Sequence, residues 1–245
     1  MSRLIQADCS LIISLDVPTL TDCRALASAT EGLSGVSGFK LGFELGLQGL
    51  RNAARIIRGE CDGITVYDGQ KAGTDTPQMG SKFAAQLKAA GCDAVILYPF
   101  AGPKTQTAWT KACQDAGLTV LVGGIMTHEA FLVSEGGYIS DDAPMRIIDR
   151  ACEDGVKDFV VPGNRLDWVT LINVRLAERL GLGQYDVYAP GFYTQGGSIR
   201  DCAAATMGAG FHAIVGSFIY DQIQSMEGMR AAALTALVDL GIAKT

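Results

Sequence analysis

No C-x-x-C pair occurs among the seven cysteines, Cys9, Cys23, Cys61, Cys92, Cys113, Cys152 and Cys202. Neither a zinc knuckle nor a redox dithiol is therefore indicated. Their odd number and wide, mostly apolar settings predict buried free thiols in a reducing compartment. The two histidines, His128 and His212, have no companions at metal-ligand spacing, so no metal site is expected. No Lys/Arg block exists, and 20 basic residues face 26 acidic ones, a net charge of -6. A nucleic-acid-binding face would need positive charge. No run of 18 apolar residues appears, so no membrane span is expected, and the first residues hold no apolar secretory core. These features predict a cytoplasmic protein.

Apolar residues make up 48% of the 245 residues, enough for a substantial core. Short apolar runs fall at 11–15, 36–41, 64–67, 92–98, 118–122, 159–161, 185–189 and 211–215. Helical patterns follow them: one capped at Thr21 and running through Ala29, then 44–59, 78–90, 105–116, 143–153, 167–180, 198–207 and 226–240. The runs are continuous rather than alternating, as in parallel strands covered on both faces. Strand and helix repeat eight times every ~25–30 residues, and one barrel of this kind takes ~250 residues. The pattern predicts a single α/β domain over 1–245, a TIM (β/α)8 barrel with its core at about 11–220. A doubly wound open sheet is the runner-up, but no G-x-G-x-x-G opens the first helix.

Chemistry in such barrels sits at the carboxyl ends of the strands, and the polar residues of this chain gather there. Asp16 ends the first strand and Lys40 lies near the end of the second. Asp68 ends the third, with Lys71 and Asp75 just beyond. Thr127 follows the fifth strand and Arg165 the sixth. Gln195, Gly196 and Gly197 follow the seventh, Gly216 and Ser217 the eighth. Lysines among acids in one mouth keep both ionised despite partial burial. A protonated lysine can deliver a proton to a carbanion, and an ionised acid can destabilise a substrate carboxylate. The cluster therefore points to proton transfer or decarboxylation. The glycine-rich turns after the last two strands are where such barrels hold phosphate with backbone N–H groups. His212, inside the eighth strand, reads as a packed core residue. Phe192 and Tyr193 stand where they could close over a ligand.

From Leu11 to about Tyr220 the sequence resembles the orotidine 5'-phosphate decarboxylase family, above all its shorter archaeal-type members. The resemblance is carried by Leu15-Asp16-Val17-Pro18, Phe39-Lys40-Leu41-Gly42, the Asp68, Lys71 and Asp75 cluster, Thr127 in Met126-Thr127-His128, and Pro190-Gly191 with Gln195-Gly196-Gly197. It implies decarboxylation of orotidine 5'-monophosphate to UMP without metal or organic cofactor. Asp68 would face the substrate carboxylate and Lys71 would protonate the carbanion. Lys40 and Asp75 would complete the charge network, while Asp16 and Lys40 would also hold ribose hydroxyls. It further implies a homodimer with Asp75 shared across the interface.

The chain departs from the family pattern in three places. The family spacing Asp-x-Lys-x-x-Asp is here Asp68-x-x-Lys71-x-x-x-Asp75, one residue longer in each gap. Met79 stands at a usual threonine. The eighth strand ends in Gly216-Ser217-Phe218, where the family carries a phosphate-binding arginine. Arg165 is the expected compensating cation. Two other readings stay open: a magnesium-dependent sugar-phosphate lyase or decarboxylase of the same superfamily, and a non-catalytic barrel that binds a phosphorylated nucleotide. The first usually carries an acid where this chain has Lys40.

Overall fold

The computed structural model describes residues 3–69 and 75–244. Among them, eight parallel strands close into a barrel in sequence order. They are β1 (Cys9–Leu15), β2 (Val36–Leu41), β3 (Ile64–Asp68), β4 (Ala94–Leu97), β5 (Thr119–Gly123), β6 (Asp158–Val160), β7 (Asp186–Ala189) and β8 (Gly210–Val215). The helices are α1 (Leu20–Thr30), α2 (Phe43–Glu60), α3 (Gly80–Ala90), α4 (Pro103–Asp115), α5 (Ala143–Glu153), α6 (Leu166–Leu180), α7 (Ile199–Ala205), α8 (Ser217–Tyr220) and α9 (Met226–Asp239). This is the (β/α)8 barrel that the repeat predicts. Among the described residues no helix is long and apolar enough to cross a membrane.

Alternation along each strand explains why the sequence runs look continuous. Ile12, Val66, Ile96, Leu121, Val160 and Ile214 point inward and form one buried cluster. Ile13, Phe39, Leu41, Val95, Val122 and Val187 point outward, where they meet helix residues such as Leu26, Ile57 and Ile172. Both strand faces are therefore dry, and each can be apolar. Burying such side chains contributes about 1.5–3 kcal/mol each.

The local signals locate the elements, with small differences at their ends. The cap of α1 is Thr19 rather than Thr21: its extended backbone lets its hydroxyl accept from the Asp22 N–H at 3.1 Å. Within α2, Gly49 takes φ 118°, which breaks the helical path at a position where a β-carbon would be strained. The short α8 is a turn of helix that periodicity over so few residues does not signal.

At the amino-terminal end of the barrel, a polar floor closes the interior. Arg3 Nε donates to Asp186 Oδ2 at 3.0 Å, and the Tyr188 hydroxyl donates to Asp158 at 3.0 Å. The His212 ring, fully buried, shares a 2.8 Å hydrogen bond with Ser10 and packs 4.8 Å from the Tyr188 ring. His212 is the packed core residue that its place in the strand implies.

Candidate active site

The opposite end of the barrel carries the charged groups. Lys40 and Asp68 lie on neighbouring strands whose register pairs Lys40 with Val66. Asp68 is two residues further along β3 and therefore faces the same interior. Lys40 Nζ reaches Asp68 Oδ2 at 2.5 Å and Asp16 Oδ2 at 3.2 Å. The Ser14 hydroxyl, two residues before Asp16 along the same chain, donates to Asp16 Oδ2 at 2.7 Å. Asp68 is fully buried and Lys40 is 5% exposed. Burial alone would lower the pKa of the Lys40 ammonium. The neighbouring Asp68 and Asp16 charges outweigh that cost and hold it above the usual lysine value. The site thus holds the Lys40 ammonium in its charged form despite its burial.

Close backbone approach contributes to this arrangement. A β-carbon on Gly42, the first residue after β2, would lie 1.8 Å from Asp16 Oδ1. Only glycine lets the Asp16 carboxylate sit where Lys40 can reach it.

Above this cluster lies a cavity of about 180 Å³. Asp16, Lys40, Tyr98, Thr127, Gln195, Ile214, Gly216 and Ser217 are among the residues that line it. Larger clefts of about 690 and 530 Å³ open beside the amino-terminal strand ends. They lie away from the Lys40 cluster, and parallel barrels work from the carboxyl end.

The predicted residues divide into three groups. Asp16, Lys40, Thr127, Gln195, Gly216 and Ser217 meet around the cavity, with Asp68 against Lys40 beneath them. Gly196 and Gly197 shape the β7 loop: Gly196 is left-handed at φ 83°, and the Gly197 N–H donates to Gly191 O at 3.0 Å. Arg165 and Asp75 stand outside the cavity lining. The Arg165 guanidinium forms an ion pair with Glu135 and contacts Met126 O at 3.5 Å. Asp75 is exposed, and its carboxylate accepts from the Thr76 N–H at 2.6 Å. Lys71 lies outside the described residues.

Sequence reading missed Ser14, Tyr98, Asn164, Thr194 and Tyr220. Ser14 had a signal, since it precedes Asp16 by two positions on one strand and so shares its face. Asn164 had none: its amide donates to Thr127 O at 3.0 Å and to Gln195 O at 3.4 Å, linking two loops far apart in the chain. Among the described residues, no group of three or more His, Cys, Asp or Glu is placed to hold a metal ion.

No protein-family model matches the chain, and no curated protein does. Solved structures do. An orotidine 5'-monophosphate decarboxylase from Methanocaldococcus jannaschii, solved in complex with the inhibitor BMP, aligns with TM-score 0.78 at 22% identity, over 94% of this chain and 98% of that one. An orotidine 5'-phosphate decarboxylase from Pyrococcus horikoshii OT3 aligns with TM-score 0.71 at 23% identity, over 94% and 99%. One from Sulfolobus solfataricus aligns with TM-score 0.71 at 19% identity, over 95% and 99%. The shared barrel extends over nearly the full length of each.

Proposed function

We propose that this protein decarboxylates orotidine 5'-monophosphate to UMP and carbon dioxide, with no metal or organic cofactor. The observation that carries the reading is the buried Lys40 ammonium between Asp16 and Asp68, at the strand ends beneath the cavity. The likeness to three orotidine-phosphate decarboxylases over almost the whole chain supports it.

In this reading the C6–carboxylate bond breaks, carbon dioxide leaves, and the electron pair stays on C6. Asp68 faces the departing carboxylate, whose negative charge it disfavours while bound. Lys71 supplies the proton that C6 takes up. Lys40 fixes Asp68 and, with Asp16, holds ribose hydroxyls. Thr127 contacts the pyrimidine, and Gln195, Gly196, Gly197, Gly216 and Ser217 surround the phosphate. Arg165 would reach the phosphate only by releasing Glu135. Charges held in place before the reaction cost no reorganisation when the carbanion forms, and binding energy from the remote phosphate can offset ground-state strain.

In this reading the protein is a homodimer in which Asp75 serves the partner's site. The reaction belongs to pyrimidine synthesis in the cytoplasm.

The test is turnover of orotidine 5'-monophosphate in excess EDTA, followed by substrate absorbance and carbon dioxide release. Conversion that Lys71→Ala abolishes supports the reading. No conversion by a confirmed dimer overturns it. Turnover of sugar phosphates that EDTA removes and magnesium restores would replace it with the lyase alternative.

A further inference from the structure

Two acids lie side by side on the barrel floor, at the end away from the catalytic cavity. The β6–β7 register pairs Asp158 with Asp186, and both are buried, at 9% and 3% exposure. Asp186 has a cation, since Arg3 Nε reaches it at 3.0 Å. Asp158 has none among the described residues. Its Oδ1 accepts from the Tyr188 hydroxyl at 3.0 Å, and its Oδ2 takes no hydrogen bond among the described residues. A carboxylate buried to this degree is ordinarily ion-paired or else neutral.

Asp158 lines the floor cleft of about 530 Å³, a volume inside the ~300–1,000 Å³ range of small-ligand sites. Leu118, Val120 and Val156 line the same cleft and offer apolar surface beside the acid. The Gln114 amide donates to Asp154 O at 3.2 Å, which leaves its own oxygen as a further acceptor. The other charged and titratable groups around Asp158 are already engaged or turned outward. Arg3 serves Asp186 and Asp8, and His212 Nε2 lies 3.9 Å from Asp186. Lys157 is exposed and can turn to water. No three His, Cys, Asp or Glu among the described residues are placed to hold a metal ion. The cation that suits this setting is one that needs a single carboxylate and neutral acceptors, as an ammonium with three N–H donors does.

We propose that this cleft binds the ammonium group of an aliphatic primary amine, with Asp158 as its counter-ion and the alkyl chain against Leu118, Val120 and Val156. The site is separate from the catalytic cavity and does not depend on which reaction that cavity performs. Burial holds the Asp158 carboxyl up at about 7. The amine binds the ionised carboxylate, so binding draws the proton off and affinity falls where the carboxyl is protonated. From pH 8 to 6 its ionised share drops from about nine-tenths to about one-tenth. An ordinary surface carboxylate stays ionised throughout that range, and an alkyl ammonium keeps its charge as a lysine does.

Calorimetric titration of the full chain with n-butylamine at pH 8 and pH 6, and with n-butanol as the uncharged analogue, tests the proposal. Butylamine is expected to bind about tenfold more weakly at pH 6 than at pH 8. Asp158→Asn, which keeps an acceptor for the Tyr188 hydroxyl, is expected to weaken it by about tenfold or more at pH 8. Thermal midpoints verify that the variant folds, and the pH comparison needs no variant at all. Equal affinity at the two pH values assigns the amine to ordinary surface carboxylates and overturns the proposal. Unaltered binding by folded Asp158→Asn overturns it as well, as does butanol that binds as tightly as butylamine. No binding up to about 10 mM butylamine at pH 8 overturns it outright. None of these outcomes bears on the decarboxylase reading, which is tested at the other end of the barrel.

Discussion

The Lys40 ammonium lies 2.5 Å from the Asp68 carboxylate, and neither group is open to water beyond 5%. Removing one partner from such a pair leaves its charge poorly compensated in the interior. Lys40→Met is therefore expected to lower the unfolding free energy by about 3–5 kcal/mol. Urea denaturation of Lys40→Met, Asp68→Asn and the double variant checks this. The double variant should lose less than the sum of the singles, by at least about 1 kcal/mol. Strict additivity would show that the pair is not coupled.

Asp158 and His212 share the barrel floor and titrate in opposite directions. Burial pushes the Asp158 carboxyl up to about 7, against the partial opposition of the Tyr188 hydrogen bond. Burial pulls His212 down to about 4. From pH 4 to 6.5 the folded chain keeps a proton on Asp158 that the unfolded chain has released, so that group's stabilisation declines as pH rises. Over the same window the unfolded chain keeps a proton on His212 that the folded chain lacks, so stabilisation grows. Each slope is about 1.4 kcal/mol per pH unit, and they oppose. Asp158→Asn should therefore make stability, relative to wild type, climb from pH 4 to 6.5. His212→Asn should make it fall from pH 4 to about 6.5. Urea titrations across this range give both differences, and unchanged slopes would show that neither group is shifted.

A β-carbon on Gly123 would fall 2.2 Å from the Tyr98 ring, which is itself buried. Gly123→Ala is expected to cost about 1–3 kcal/mol by forcing that ring aside. Adding Tyr98→Leu should recover part of the loss. Thermal unfolding of the single and double variants measures it. A fully stable Gly123→Ala would mean the ring can move freely.

Burial pushes the Cys23, Cys92, Cys113 and Cys202 thiols up to about 12. Thiolates are the reactive form, so these four should resist a disulfide reagent in the native chain near pH 8. All seven cysteines should react in denaturant. Rapid native reaction at any of the four would contradict its buried placement.

The chain's local patterns determined the barrel. Eight dry strands alternating with helices are encoded residue by residue, because burial on both faces leaves a continuous apolar run wherever a strand passes. The same logic placed Asp16, Lys40 and Asp68 at one rim, since an acid or lysine that ends such a run comes out at the strand's carboxyl end. Only closure of the barrel decided which of these groups touch. Lys40 bridging Asp16 and Asp68 depends on the β2–β3 register and on glycine at 42, and neither follows from spacing. Arg165 shows the same limit: its position after β6 suggested a phosphate partner, but Glu135, thirty residues earlier, holds its guanidinium. The hydroxyl pair Thr194–Ser217 and the ring pair Tyr193–Phe218 join loops that no local period connects. Periodicity reports which face a residue takes on its own element. Partners across elements are set by where distant loops meet, and folding alone brings them together.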